Sequence, residues 1–152
     1  MPNGHTAPRE WIKHPGAAAV VPILPNGDII LVKQFRYPVN KVTIEIPAGK
    51  LDVEGEDPVG CAHRELSEET GYTASTVKHL ISFYPTCGYS NEYLHIYLCR
   101  DLTRGEKHWD KDECIEILEY TPDELIDLIM KGEIEDSKTI IGILFARQAG
   151  EI

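Results

Sequence analysis

The sequence predicts an α/β protein in which a mixed β-sheet is flanked by helices. Two observations carry that prediction. Apolar or alternating runs of strand length dominate the middle of the chain, and segments with helix-cap residues lie between and after them. A third narrows it: there are too few helical crossovers for a doubly wound parallel sheet.

The elements follow in order. Residues 1–16 carry Pro2, Gly4, Pro8, Pro15 and Gly16, and read as an irregular arm on a single domain spanning 1–152. Residues 17–24 (AAAVVPIL) are an apolar run of strand length. Pro25-Asn26-Gly27-Asp28 is a turn signal, because Asn-Gly readily adopts positive φ. Residues 29–35 (IILVKQF) then read as the return strand of a hairpin. Pro22 has no N–H to give a ladder, which suggests an edge position or a bulge. In residues 42–46, Val42, Ile44 and Ile46 alternate with Thr43 and Glu45, and Pro47-Ala48-Gly49 breaks the strand ahead of an acidic loop. Asp57 is a suitable N-cap, Pro58 fits the first helical position, and Gly71 fits just past the C-terminus. Residues 76–84 and 92–99 read as strands joined by the loop from Pro85 to Asn91, and 114–120 as another strand. Thr121 caps a helix through Met130, and 138–149 read as a final amphipathic helix.

Composition bounds the function. A chain of 152 residues that is 42% hydrophobic can bury a core without a metal or disulfide staple. Any bound metal is then functional. A net charge of −10 argues against nucleic acid and against an anionic membrane surface as partner. It does not argue against small anions, because a divalent cation inverts the local field. The cysteines, Cys61, Cys87, Cys99 and Cys114, contain no Cys-x-x-Cys pair, so neither a zinc site nor a disulfide framework is expected. The polar amino terminus lacks the apolar centre of a signal peptide, and the expected location is cytoplasmic.

The informative segment is Arg64-Glu65-Leu66-Ser67-Glu68-Glu69-Thr70-Gly71-Tyr72. Helical geometry puts Glu65, Glu68 and Glu69 within an arc of about 100°, beside an apolar face built from Val59, Ala62 and Leu66. Like charges at i,i+3 and i,i+4 repel, and Glu68 and Glu69 sit near the helix C-terminus, where anions are disfavoured. Arg64 reaches Glu68 at i,i+4 and relieves part of this. A solvated acidic face is one explanation. A hard divalent cation such as Mg²⁺, which prefers oxygen ligands, is the other.

Gly49 through Tyr72 resembles the Nudix box, Gly-x5-Glu-x7-Arg-Glu-U-x-Glu-Glu-x-Gly-U, where U is bulky and apolar. Glu56, Arg64, Glu65, Leu66, Glu68, Glu69, Gly71 and Tyr72 fit it. The departure is one extra residue between Gly49 and Glu56 (KLDVEG), placed around Val53-Glu54. Gln34-Phe35-Arg36-Tyr37-Pro38, Glu45-Ile46-Pro47-Ala48-Gly49 and Lys138-Thr139-Ile140 resemble segments of the ADP-ribose pyrophosphatase branch, extending the likeness from His14 to Ala146. The resemblance implies the Nudix-type α/β/α sandwich with a mixed β-sheet. Members of that branch usually carry a longer amino-terminal region that adds strands and helps build a dimer; about 15 residues precede the common core here, so the resemblance leaves a homodimer open without implying the usual swapped one.

The same resemblance implies the site. Glu65 and Glu69 would be metal ligands, Glu68 would share the cluster, and the backbone carbonyl of Ala48 would be a further ligand. The cation implied is Mg²⁺, with Mn²⁺ as substitute. Arg64 would orient the carboxylates, and Glu56 would brace the loop or bind a metal through water. The general base would be a glutamate on a late loop. Within Asp110-Lys111-Asp112-Glu113 the choice is Glu113, with Asp112 and Glu116 as rivals. Arg36 is either a phosphate clamp or an ion-pair partner, since a guanidinium binds phosphate oxygens as a fork. Glu92 either contacts metal or substrate or starts the next strand. Tyr37, Tyr84, Tyr89 and Trp11 are stacking surfaces or packing residues.

The expected activity is hydrolysis of the pyrophosphate bond of a nucleoside diphosphate linked to a sugar, with ADP-ribose giving AMP and ribose 5-phosphate. Cys87-Gly88 stands where that branch often has proline followed by glycine. This keeps nucleotide sugars such as ADP-glucose or GDP-mannose as the alternative. A nucleotide-sensing module without catalysis would show eroded carboxylates, and none is eroded.

Overall fold

The central strand, β1 (Ala17–Pro22), is buried on both faces along its whole length. It runs parallel to β6 (Leu94–Arg104), in register from Ala17 opposite Leu94 to Pro22 opposite Cys99. Burial on both faces explains why it reads as a continuous apolar run without alternation. The computed structural model describes residue 2, residues 4–105 and residues 115–152.

Two sheets form. The first has the order β4-β1-β6-β5, with β4 (Ala48–Lys50) and β5 (Tyr72–Phe83) as its edges. β4 is antiparallel to β1 and β5 is antiparallel to β6, so the sheet is mixed. The second is antiparallel, β3-β2-β7, from β3 (Lys41–Glu45), β2 (Ile29–Arg36) and β7 (Glu116–Tyr120). One face of β1, with Ala18 and Val20, packs with Tyr97 and Cys99 against Cys61, Ala62 and Leu66 of α1 (Pro58–Thr70). The other face, with Ala17, Ala19 and Val21, joins Leu125 of α2 (Pro122–Met130) and Ile143 and Ala146 of α3 (Ser137–Gln148). Helices thus cover both faces of a mixed sheet, as the sequence predicts. Among the described residues, no helix is long and apolar enough to cross a membrane.

Several expectations need correction. The turn at Pro25–Asp28 forms, closed by the Leu24 N–H on the Asp28 carbonyl at 2.8 Å. The expected hairpin does not form: a single bridge, Ile23 to Ile29, joins the two strands. Both edges of β1 are taken by β4 and β6, so the chain leaves the turn into the other sheet. Pro22 is therefore in a central strand, but at a locally unpaired edge. The N–H groups of Ala17 and Ile23 point to the β6 side, onto Tyr93 and Cys99 carbonyls. Alternation turns position 22 the other way, where pairing with β4 has already ended at Ala19.

Ala48–Lys50, read as a strand break, resumes as β4. β5 and β6 are longer than predicted; β5 begins directly after Gly71 and contains a bulge between His79 and Ile81. Alternation in 42–46 is inverted at Val42 and Glu45, while Ile46 is buried as predicted. Glu45 is 2% exposed and Val42 is 53% exposed. Val59 also faces solvent. α3 buries Thr139, Gly142, Ile143 and Ala146 along one stripe, but Leu144 and Phe145 leave its outer face partly apolar.

Candidate active site

The caps of α1 set the angle at which its carboxylates meet the sheet. The Asp57 side chain accepts from the Gly60 N–H at 2.7 Å, with Pro58 following. Gly71 ends the helix at φ 74°, a left-handed conformation that glycine adopts without a Cβ clash. The buried face of the helix holds Cys61, Ala62, Leu66 and Thr70, and also Glu65 and Glu69. Two of the three clustered carboxylates therefore lie on the packed face itself, while Glu68 points to solvent.

β4 is what they pack against. The Ala48 N–H donates to Glu69 Oε2 at 3.1 Å. At Gly49 an added Cβ would lie 1.8 Å from Glu65 Oε1, so this position accommodates the carboxylate only because it has no side chain. Toward β1, the Pro47 carbonyl accepts from the Val20 N–H and the Leu51 N–H donates to the carbonyl of Gly16, just before the strand. The intervening Ala48 directs its N–H away from β1 and toward Glu69. In a strand a residue's N–H and C=O share one edge, so the Ala48 carbonyl faces that side too.

Burying carboxylates is costly without compensation. Arg64 supplies it. Its Nε and Nη2 bind the two oxygens of Glu56, each at 3.0 Å, and its Nη1 binds Glu65 and Glu68. Nη2 also donates to the Lys50 carbonyl at 3.1 Å, tying the acidic loop to the helix. The hydrogen bonds to Glu56 and the charges of the other glutamates raise the Arg64 pKa. Reciprocally, Arg64 lowers that of Glu56. Arg64 thus braces the carboxylates and Glu56 braces the loop.

A further buried carboxylate, Glu45, sits beside the cleft, behind Arg36. Glu45 accepts from Arg36 Nε at 2.8 Å and Nη2 at 2.7 Å, from Thr43 Oγ1 at 2.6 Å, and from Lys138 Nζ. Burial alone would push the Glu45 carboxyl up; Arg36 and Lys138 outweigh it and hold it at about 2. Arg36 is therefore an ion-pair partner, and it also lines a cleft of about 490 Å³. Gln34 and Arg36 form one wall of this cleft, and Glu65, Glu68 and Glu69 the other, with Ala48, Gly49 and Lys50 along β4. Positive and negative walls facing each other suit an anion bridged by a cation.

The Nudix domain profile matches residues 13–141. The chain belongs to the Nudix family of hydrolases. It is 42% identical over 95% of its length to an ADP-ribose pyrophosphatase of Bacillus subtilis, covering 79% of that protein. It is 43% identical, with the same coverage, to a methanol dehydrogenase activator of Bacillus methanolicus. A solved ADP compounds hydrolase superposes with a TM-score of 0.80 over 90% of this chain and 75% of its own, at 20% identity, which speaks to the fold.

The Nudix box is thus carried by α1 and the loop before it. The donors it offers a cation are carboxylate oxygens with a backbone carbonyl beside them, a hard set that fits a hard divalent ion. Among the described residues, no three His, Cys, Asp or Glu side chains already converge on one point. Arg64 draws Glu65 and Glu68 onto its own guanidinium.

Other predicted residues are placed differently. Glu92 lies outside the cleft, its N–H on Ser90 Oγ at 3.1 Å. Glu116 opens β7 and pairs with Lys33 at 3.0 Å. Asp110, Asp112 and Glu113 lie outside the described residues. Tyr37, Tyr84, Tyr89 and Trp11 are all exposed, and Tyr84 packs on Tyr93 at 4.7 Å between ring centres. Sequence reasoning gave no role to Glu45 or Lys138. Both lay in segments that already resembled the pyrophosphatase branch, which was the available signal.

Proposed function

We propose that this Nudix protein hydrolyses the pyrophosphate bond of a nucleoside diphosphate linked to a sugar, with ADP-ribose as substrate and AMP and ribose 5-phosphate as products. The observation that carries this reading is the two-walled cleft, in which Arg36 faces a carboxylate set packed against β4. The similarity to an ADP-ribose pyrophosphatase over most of the chain supports it. Glu65, Glu68, Glu69 and the Ala48 carbonyl would hold a divalent cation, Mg²⁺ by preference and Mn²⁺ as substitute. That cation, when bound, screens the diphosphate and stabilises charge on the leaving phosphate.

The chain's own residues do the rest. Arg36 binds phosphate oxygens, and Arg64 keeps Glu65 and Glu68 in place. Glu113 takes the proton from the attacking water as general base. The water oxygen bonds to one phosphorus as that atom's bond to the bridging oxygen breaks. Asp112 and Glu116 are the rivals for the base. The exposed pairing of Glu116 with Lys33, away from the cleft, favours Glu113 over it. We place the enzyme in the cytoplasm with its nucleotide substrates.

A second reading, a nucleotide-sugar pyrophosphatase acting on ADP-glucose or GDP-mannose, is favoured by Cys87-Gly88 and by the extra loop residue before Glu56. A competition assay separates them. ADP-ribose, ADP-glucose, GDP-mannose and a dinucleoside polyphosphate are supplied at equal concentration with Mg²⁺, and products are followed by mass spectrometry. Selective loss of ADP-ribose to AMP and ribose 5-phosphate is expected. Earlier loss of a nucleotide sugar moves the assignment to the second reading, and no loss with either metal overturns both.

A further inference from the structure

Two cavities meet at one side chain. The cleft described above and a neighbouring cavity of about 590 Å³, lined by Val39, Thr43, Glu45 and Lys138, share Arg36 as their common wall. Arg36 is the last residue of β2, and its side chain is 41% exposed. A long side chain at a strand end has many rotamers, so something must select the one that borders the cleft.

We propose that Glu45, fixed in turn by Lys138, is a positioning residue that holds Arg36 for the diphosphate. This rests on the reading of the cleft as a diphosphate site. The geometry is one-sided. Glu45 engages Nε and Nη2, one edge of the guanidinium plane. Among the described residues, Nη1 donates to no acceptor. One edge is thus spent on orientation, and the other is left to bind phosphate oxygens.

Glu45 can do this because it is itself immobile. Its side chain is 3% exposed, and Thr43 and Lys138 hold the oxygens that Arg36 shares. Lys138 lies in the first turn of α3 and also meets Asp136 Oδ1 at 3.1 Å. Asp136 is the N-cap of α3, accepting from the Thr139 N–H and hydroxyl at 3.0 and 2.6 Å. Thr139 Oγ1 in turn accepts from the Ile46 N–H at 2.8 Å, two residues before Ala48. The start of α3 therefore sets both Arg36 and the strand that carries the Ala48 carbonyl, so the two walls of the cleft keep one spacing.

The test is a double-mutant cycle on the full chain, read by calorimetric binding of ADP with Mg²⁺ and by the KM and kcat for ADP-ribose. Arg36→Ala and Glu45→Gln should each weaken ADP binding about tenfold, the effect of losing a hydrogen bond to a charged group. The double variant should match Arg36→Ala alone, because Glu45 acts through Arg36. KM should rise more than kcat falls. If Glu45→Gln does not fold, Glu45→Asp keeps the charge and retracts it by one methylene. It should then show an intermediate loss that vanishes in the Arg36→Ala background. Wild-type affinity in the Glu45 variants, or losses that add in the double variant, overturns the proposal. ADP binding needs no turnover. A wild-type protein that binds ADP but cleaves no nucleotide sugar removes the proposed activity while the cycle still decides the role of Glu45. Failure of the wild type to bind ADP overturns both.

Discussion

The two walls of the cleft solve the same problem in opposite ways. On the α1 side, Glu56, Glu65 and Glu68 share the single guanidinium of Arg64, and Glu69 adds a fourth carboxylate beside them. On the other side, behind Arg36 and toward α3, Glu45 and Asp136 are matched by Arg36 and Lys138 in the neighbouring cavity. The first cluster carries surplus negative charge and the second is balanced. A balanced buried network fixes geometry and asks for nothing more. A surplus of carboxylates pressed on a strand is destabilising until a cation joins it. On the proposed function, the difference separates the side that would recruit a cation from the side that holds the shape of the cleft.

The largest test of that contrast is Glu69→Gln. It should lower turnover by about 10²–10³-fold, as for other groups that stabilise transition-state charge, with thermal unfolding unchanged or raised. Unchanged turnover would remove Glu69 from the cation set. Arg64→Gln probes the surplus directly. It should cost about 1–3 kcal/mol in the metal-free protein, and added Mg²⁺ should restore more stability than it gives the wild type. Equal gains in both proteins would show that the cluster does not call for a cation.

The balanced wall makes the opposite prediction, in acid. The Glu45 carboxyl is held at about 2, below its ordinary value of 4.5. A depressed folded-state pKa contributes stability that is fully present above the unfolded value and is lost as pH falls from there toward 2. Urea titrations between pH 5 and about pH 2 should therefore show a shallower loss in Glu45→Gln than in the wild type. Parallel curves would show that the ion pairs do not stabilise the fold. The smallest effect belongs to Glu116→Ala, which removes an exposed pair with Lys33. Stability should change by less than about 0.5 kcal/mol and turnover should hold. A collapse of turnover would make Glu116 the general base in place of Glu113.

What the sequence made legible was local. The α1 caps Asp57 and Gly71, and the spacing of Glu65, Glu68 and Glu69, depend on neighbours within a few residues, and the structure places them as predicted. Pro25–Asp28 announced a turn correctly, but a turn does not dictate which strands pair after it. The competition for the edges of β1 decided that. Glu45 was hidden for a related reason. Alternation put it with the polar Thr43, and its burial is compensated by Arg36 on the paired strand and by Lys138, a partner 93 residues away. Ala48 and Gly49 looked like a break because their strand is held by β1 and α1, not by their own propensity.

The parallel pairing of β1 with β6 has a further consequence for the order of assembly. Ala17 lies opposite Leu94, so a long loop must close before β1 has a partner on that side. β5 and β6 are joined by a short connection and meet early by comparison. β4 spans three residues and, among the described residues, pairs with β1 and packs on α1, so the segment carrying Ala48 stays on the edge of an unfinished sheet until that distant closure is made. In refolding followed by pulsed hydrogen exchange, protection should therefore appear in β5 and β6 before it appears in β1 and β4. The candidate cleft is then among the last parts of the molecule to exist, and an incompletely folded chain does not bring its lining together.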